Sequence, residues 1–173
     1  MFRRCLISML VLFSPGVFSY TLEITEAQIQ EKVSAMMPLE KKQFCVTVRL
    51  SDPKVELIKG SDRIGLYLNV EAKLPGVVKG AGRGRVTGRI DYNVDQGAFY
   101  FKDAQIEHLE IDKLAPKYAE TVKLLAQSIV SKSMSQYPVY QFKETDMKQR
   151  MAKATLESVE IKDQLLLVAL SFF

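Results

Sequence analysis

The segment Leu114–Tyr137 has the sequence LAPKYAETVKLLAQSIVSKSMSQY, and the predicted fold is built around it. At 100° per residue its apolar side chains fall within an arc of roughly 160°, and the charged side chains take the opposite side. The apolar set is Leu114, Ala115, Tyr118, Ala119, Val122, Leu125, Ala126, Ile129 and Val130. The pattern predicts one long amphipathic helix, and an apolar stripe this broad requires a cover that wraps around it.

The segments before and after this helix alternate between apolar and polar residues, as β-strands do. Ile64–Ala72 is the cleanest such run. Within Ala98–Ile111 the apolar positions change parity, which predicts two β-bulges and therefore a strongly bent strand. Thr25 and Gln28 form a capping box that begins a shorter helix. The sequence therefore predicts an α+β domain over residues 20–173, with a strongly curved antiparallel β-sheet wrapped around one long α-helix and a short N-terminal helix.

Glycine, proline and aspartate mark the connections between these elements. The sequence predicts a turn at Ser51–Pro53, a Gly-rich loop over Leu74–Gly82 and a hairpin turn at Asp95–Gly97. A short helix is predicted over Asp146–Ala154, and a closing hairpin over Thr155–Phe173. No repeat or low-complexity linker interrupts this order, so the sequence predicts a single domain after residue 19.

The first nineteen residues, Met1–Ser19, have the composition of a secretory signal peptide. Two arginines precede the apolar run Cys5–Phe13, and the small residue Ser19 favours cleavage before Tyr20. The apolar run is shorter than the ~20 residues of a membrane-spanning helix, which favours cleavage over the alternative, a retained N-terminal anchor. Cys5 lies too early to be a lipid-attachment cysteine. The sequence therefore predicts a soluble, exported protein that carries no acyl group.

Charge and side-chain chemistry argue against several classes of function. The chain has 24 Lys and Arg against 20 Asp and Glu, a small excess that is unlike the basic stripe of a nucleic-acid-binding protein. Its one histidine, His108, lacks the Cys or His partners that a metal site needs. Gly80–Gly84 looks like a phosphate loop, but it precedes a strand and so lacks the helix N-terminus that binds phosphate. The sequence predicts no enzyme activity, no metal and no cofactor.

Four short segments resemble the YceB-like envelope proteins of bacteria, a family of unknown biochemical function. They are Tyr20–Ile29 (YTLEITEAQI), Gly97–Asp103 (GAFYFKD), Gln136–Tyr140 (QYPVY) and Met151–Lys153 (MAK). Their order and spacing agree with the family over nearly all of residues 20–173. The resemblance implies a cell-envelope protein, here of the periplasm, although this chain lacks the lipobox cysteine of the family's best-known member.

The resemblance also implies a mode of binding. The family is similar to the tubular lipid-binding (TULIP-like) superfamily, whose members hold acyl chains between a helix and a curved sheet. On the predicted helix, Ala115, Ala119 and Ala126 lie on one narrow flank together with Ser133. Small residues there leave room either for a ligand or for close packing of helix and sheet, and both interpretations stay open.

The leading hypothesis is a non-enzymatic periplasmic protein that holds a lipid or another apolar molecule in a groove between the helix and the sheet. The hypothetical groove is lined by Tyr118, Ala119, Val122, Leu125, Ala126 and Ile129 from the helix and by Val33, Leu66, Leu68, Phe99 and Phe101 opposite. The alternative is a cell-envelope interaction protein with a fully packed core and no ligand. Arg83, Arg85 and Arg89 line one face of a strand, as contacts for an anionic membrane surface or as a solvated outer face. Nucleic acid is not an expected partner.

Overall fold

Strand is the main secondary structure of this protein, as a computed structural model shows. The structure describes residues 18–74, 76, 79–93, 95–143 and 155–172. About 60% of these residues are in strands. In chain order the elements are β1 (Phe18–Thr25), α1 (Glu26–Met36), β2 (Leu39–Gln43), β3 (Val46–Leu57), β4 (Arg63–Lys73), β5 (Lys79–Asn93), β6 (Ala98–Ile111), α2 (Pro116–Gln136), β7 (Pro138–Gln141), β8 (Thr155–Lys162) and β9 (Leu165–Phe172).

Two antiparallel sheets contain the strands of the described chain. The larger sheet is curled and has six strands in the order β2-β3-β4-β5-β6-β7. The smaller sheet has three strands in the order β1-β9-β8. The two sheets are tied together at the β3–β4 turn, where Gly60 N donates to Ile161 O at 2.9 Å and Ile161 N donates to Ser61 O at 3.0 Å.

One hydrophobic cluster joins both sheets and both helices. Helix α1 contributes Ile29 and Val33, and the smaller sheet contributes Ile24, Leu166, Val168 and Leu170. Helix α2 contributes Val122, Leu125, Ala126, Ile129, Val130 and Met134. In β3 and β4 alternate residues are buried, so one face of the curled sheet packs on this cluster and the other faces solvent.

The predicted turn at Ser51–Pro53 is wrong, because β3 runs through these residues as a β-bulge. The register between β3 and β4 shifts there, and Asp52 has a φ of 49°. Proline cannot donate to strand pairing, so within sheets it is found at edges and bulges. Helix α1 covers the bulge through Gln30, whose Nε2 donates to Pro53 O at 2.6 Å and whose Oε1 accepts from Val55 N at 2.8 Å.

Several local predictions are confirmed. Thr25 caps α1 and forms the expected capping box with Gln28. The pairing of β5 with β6 has two register shifts, as the change of parity along β6 predicts. Residues 95–97 form the turn between β5 and β6, and β8 pairs with β9 as the closing hairpin. Each of these predictions depends on residues that are close together in the sequence, and the tertiary structure does not alter them.

The predicted α+β class is wrong, because the described chain is mostly β and has two helices, of 11 and 21 residues, instead of one long helix enclosed by a sheet. Helix α2 packs one side on the sheet, and at its start Ala115 and Ala119 are exposed and Tyr118 is only half-buried. The sequence pattern underestimates the strand content. It misses β2, and it assigns Lys79–Gly82, the first residues of β5, to a loop.

Some predictions fall outside the described residues. Met1–Val17 and the predicted helix Asp146–Ala154 are among them. The predicted cleavage site between Ser19 and Tyr20 falls within β1. Neither helix of the described chain is long and apolar enough to cross a lipid bilayer.

Candidate functional site

Arg83, Arg85 and Arg89, for which both an anionic contact surface and a solvated outer face were considered, lie along β5 on the outer face of the curled sheet. Arg85 Nη2 donates to Glu56 Oε2 at 3.0 Å, and Arg85 Nη1 donates to Glu107. Arg89 Nε donates to Asp103 Oδ2 at 2.8 Å. Two of the three arginines are therefore already paired with carboxylates.

Both ion pairs favour the charged form of the arginine side chain, which arginine already has at any physiological pH. The pKa of Arg85 is raised above its ordinary value, mainly because the side chain donates a hydrogen bond to Glu56. The pKa of Arg89 is raised in the same way by Asp103. Among the described residues, Arg83 has no ion pair. An anionic partner would compete with carboxylates at the other two positions, so contact at this face stays a hypothesis.

Nine of the eleven predicted groove residues are buried in the single hydrophobic cluster. They are Val33, Leu66, Leu68, Phe99, Phe101, Val122, Leu125, Ala126 and Ile129. None of them is more than 3% exposed, and side chains packed this closely on one another are typical of a protein core. The other two, Tyr118 and Ala119, lie outside this cluster in the first turn of α2.

A cleft of about 190 Å³ lies between the first part of α2 and the last part of β6. Its lining consists of Ile106, Glu107, His108, Leu109, Ile111, Leu114, Ala119, Glu120 and Lys123. The four large apolar side chains are only partly buried, and Ala119 is exposed. The cleft therefore places partly buried apolar side chains next to charged ones, beside the core and open to solvent.

Two local features shape this cleft. The side chain of Gln127 fastens the middle of α2 to a bulged part of β6, since its Oε1 accepts from Ile106 N at 3.0 Å and its Nε2 donates to Ala104 O at 2.7 Å. Two turns earlier along α2, Ala119 carries only a methyl group and leaves space that a longer side chain would fill. The residues of α2 that line the cleft therefore precede Gln127, which attaches the helix to β6.

Three other clefts of the described chain are larger, at about 490 to 530 Å³. Polar and charged residues dominate their linings, for example Asp91, Asn93, Asp95 and Gln96 in one of them. An apolar ligand gains little from such surfaces, because the hydrophobic effect scales with the apolar area removed from water. The candidate site is therefore the smaller cleft, because four large aliphatic side chains contribute to its lining.

A family model matches this chain over residues 24–164, which is more than half of its length. The family is described as "Protein of unknown function (DUF1439)". This chain belongs to that family. No curated protein matches the sequence. Membership of the DUF1439 family names no ligand, and the curled sheet of this member is compatible with a binding fold.

Four of the nine residues that line the cleft of this DUF1439 protein are titratable, and all four are exposed. His108 Nε2 lies 2.9 Å from Glu110 Oε1 at the surface. Within the described ranges, no group of three or more His, Cys, Asp or Glu side chains is placed to hold a metal ion. The chemistry that the cleft offers is apolar contact beside charged groups, which suits binding.

The β6 wall of the cleft in this DUF1439 protein was not predicted from the sequence. Ile106, Leu109 and Ile111 were not among the predicted groove residues, although they line the cleft. The available signal was the change of parity after Phe101. The apolar residues that follow do not continue the alternation that places Phe99 and Phe101 in the core. Parity indicates on which face of the strand a side chain lies, but it does not indicate whether an open cleft lies next to that face.

Proposed function

We propose that this protein is a non-enzymatic binding protein that holds a lipid or another apolar molecule in the cleft between β6 and α2. One observation carries the proposal: large apolar side chains, among them Leu109, Ile111 and Leu114, are only partly buried and line an open space. Burying apolar surface contributes roughly 25 cal/mol per Å². A ligand that covers these side chains therefore gains free energy without any change in the core.

The size of the cleft sets the kind of ligand. Its volume of about 190 Å³ is below the ~300–1,000 Å³ of typical small-molecule sites. We propose that it takes part of one acyl chain, each buried CH₂ of which contributes about 0.8 kcal/mol. The resemblance to YceB-like and tubular lipid-binding proteins supports the same class of ligand.

The compartment belongs to the same proposal. We expect export to the periplasm and cleavage between Ser19 and Tyr20, with no acyl group on the mature protein. Cleavage there would leave Tyr20–Thr25 paired with β9, so most of β1 would remain. Amino-terminal sequencing and the intact mass of the exported protein check this. A sequence that begins at Met1, or a mass that includes acyl chains, would contradict it.

Replacing Ala119 by leucine is expected to remove the bound molecule and leave the fold intact. The new side chain would fill the cleft, and leucine is a good helix former at this exposed position. The change in the free energy of unfolding should stay within about 0.5 kcal/mol. Native mass spectrometry of protein purified from the periplasm, followed by solvent extraction, measures the copurifying molecule.

Ala27→Leu is the matched control, because Ala27 is an exposed alanine on helix α1, away from the cleft. It should keep the bound molecule. Ala126→Leu is not a suitable variant, because Ala126 is fully buried and overpacking a core costs about 1–3 kcal/mol. Equal retention of the apolar molecule in the Ala119 and Ala27 variants would show that the cleft is not its site.

The second candidate is a cell-envelope interaction protein without a ligand. The observation that favours it is the near-complete burial of the nine predicted groove residues, which leaves the interior of the domain filled. Under this alternative no apolar molecule copurifies with the wild type. The partly buried side chains of the cleft would then be covered by another envelope protein, and crosslinking in intact cells would capture that protein.

A further inference from the structure

The hairpin between β2 and β3 ends in a two-residue turn, Phe44-Cys45, which exposes a phenylalanine. Phe44 is 87% exposed and has a φ of 53°. Glycine is favoured in this left-handed region, and a bulky residue there is strained. Neither core packing nor turn geometry accounts for a phenylalanine at this position. Strained residues are concentrated at functional sites. The strained, exposed Phe44 therefore indicates a contact with a partner outside the protein.

A row of lysines lies beside this turn. Lys42 pairs with Thr47, Thr47 with Lys73, and Lys73 with Lys79, across strands β2 to β5. Directly paired residues point to the same face of a sheet, and Thr47 alternates with buried neighbours. The three lysines therefore share the outer face at one end of the curled sheet. All three are exposed, and none forms an ion pair with another described residue.

We infer that this end of the sheet docks on an anionic lipid bilayer. Phe44 would enter the boundary between head groups and acyl chains, and the lysine row, Lys42, Lys73 and Lys79, would contact lipid phosphates. Strands are about 4.8 Å apart, so the row spans roughly 14 Å, enough to contact several head groups. An aromatic side chain with flanking basic residues has the composition of a membrane-surface anchor.

Charge and shape favour a bilayer over a second copy of this chain. Two copies that met at this end would bring two lysine rows together, and like charges repel. The surface is also a protruding turn and not a groove. A bilayer accepts a protruding side chain at any point of its surface, whereas a protein partner needs a matching pocket.

The cleft lies at the same end of the sheet. Ile111 pairs with Gly82, and Asp112 N donates to Ala81 O at 2.9 Å. The start of α2 is therefore next to the start of β5, where Lys79 lies. Docking does not depend on a ligand in the cleft, but it would bring the lining residue Leu114 close to the lipid from which an acyl chain could enter.

Fluorescence at Cys45 tests the inference directly. In the exported protein proposed above, which begins at Tyr20, Cys45 is the single cysteine, so an environment-sensitive fluorophore can be attached there without any further substitution. We expect a blue shift with vesicles of equal parts phosphatidylcholine and phosphatidylglycerol, and none with phosphatidylcholine alone. Phe44→Ser should weaken vesicle binding about tenfold, because it removes one partly inserted aromatic ring. No blue shift with the anionic vesicles, or an equal shift with both kinds, would overturn the inference.

Two double variants with the same loss of charge locate the surface. Lys42→Gln with Lys79→Gln should weaken binding to the anionic vesicles by roughly tenfold to thirtyfold. Lys59→Gln with Lys162→Gln removes two exposed lysines away from the turn and should change binding by less than about twofold. Equal losses in the two variants would mean that net charge alone attracts the protein, which overturns the assignment. Unchanged thermal unfolding shows that each variant is folded.

Discussion

Replacing Leu125 by aspartate is expected to prevent folding. Leu125 is 2% exposed and belongs to the hydrophobic cluster on the packed side of α2. The variant loses the burial of a leucine, about 2–5 kcal/mol for a large-to-small change, and it places a carboxyl group where the core offers no partner. These losses together are comparable to the ~5–15 kcal/mol that stabilise a typical domain. Circular dichroism should show no cooperative thermal transition.

Leu124→Asp is the matched control, because Leu124 is the neighbour of Leu125 on the same helix and is 68% exposed. Surface substitutions of this kind change the free energy of unfolding by about 0.5 kcal/mol or less. The control should therefore unfold at nearly the temperature of the wild type. Similar losses at both positions would mean that α2 does not face the sheet as the structure has it.

The buried side of α2 could be predicted because it depends on a local period. Val122, Leu125 and Ile129 were placed on the apolar side by their spacing alone, and all three are in the core. The error concerned the first turn, where Ala115 and Tyr118 continue the same period without a cover. Periodicity states which side of a helix is apolar. How far the opposing sheet extends along the helix is a tertiary property, and Ala119, which follows Tyr118, lines the open cleft.

The predicted class of fold was wrong for a related reason. Strand patterns were recognised where branched or aromatic residues alternate, as in β4, but not in the short, charged β2, Leu39–Gln43. The bulge at Pro53 was interpreted as the end of a strand, because proline and aspartate are typical turn residues. Each of these segments forms strand because a neighbouring strand or helix supplies its hydrogen bonds, and a single sequence does not display that neighbour.

The glycine-rich start of β5 leads to the second large expected effect: Gly82→Ala should destabilise the protein by about 2–3 kcal/mol. A Cβ atom at Gly82 would lie 1.8 Å from Glu110 O and 2.7 Å from the Cα of Ile111, its partner on β6. Backbone atoms cannot rotate away as a side chain can, so the end of the β5–β6 pairing would have to open. For a domain of this size the thermal midpoint should fall by roughly 5–10 °C.

Gly84→Ala, two residues further along the same strand, separates close approach from chain flexibility. At Gly84 the nearest atom to an added Cβ is Val70 Cγ2 at 3.4 Å, which is ordinary contact. Glycine in a strand costs roughly 0.5–1 kcal/mol relative to alanine, so this variant should be as stable as the wild type or slightly more stable. If Gly82 served only to make the chain flexible, Gly82→Ala and Gly84→Ala would both have the same small effect on stability. A large loss at Gly82 alone therefore shows that the strand needs a residue without a side chain where it meets the backbone of β6.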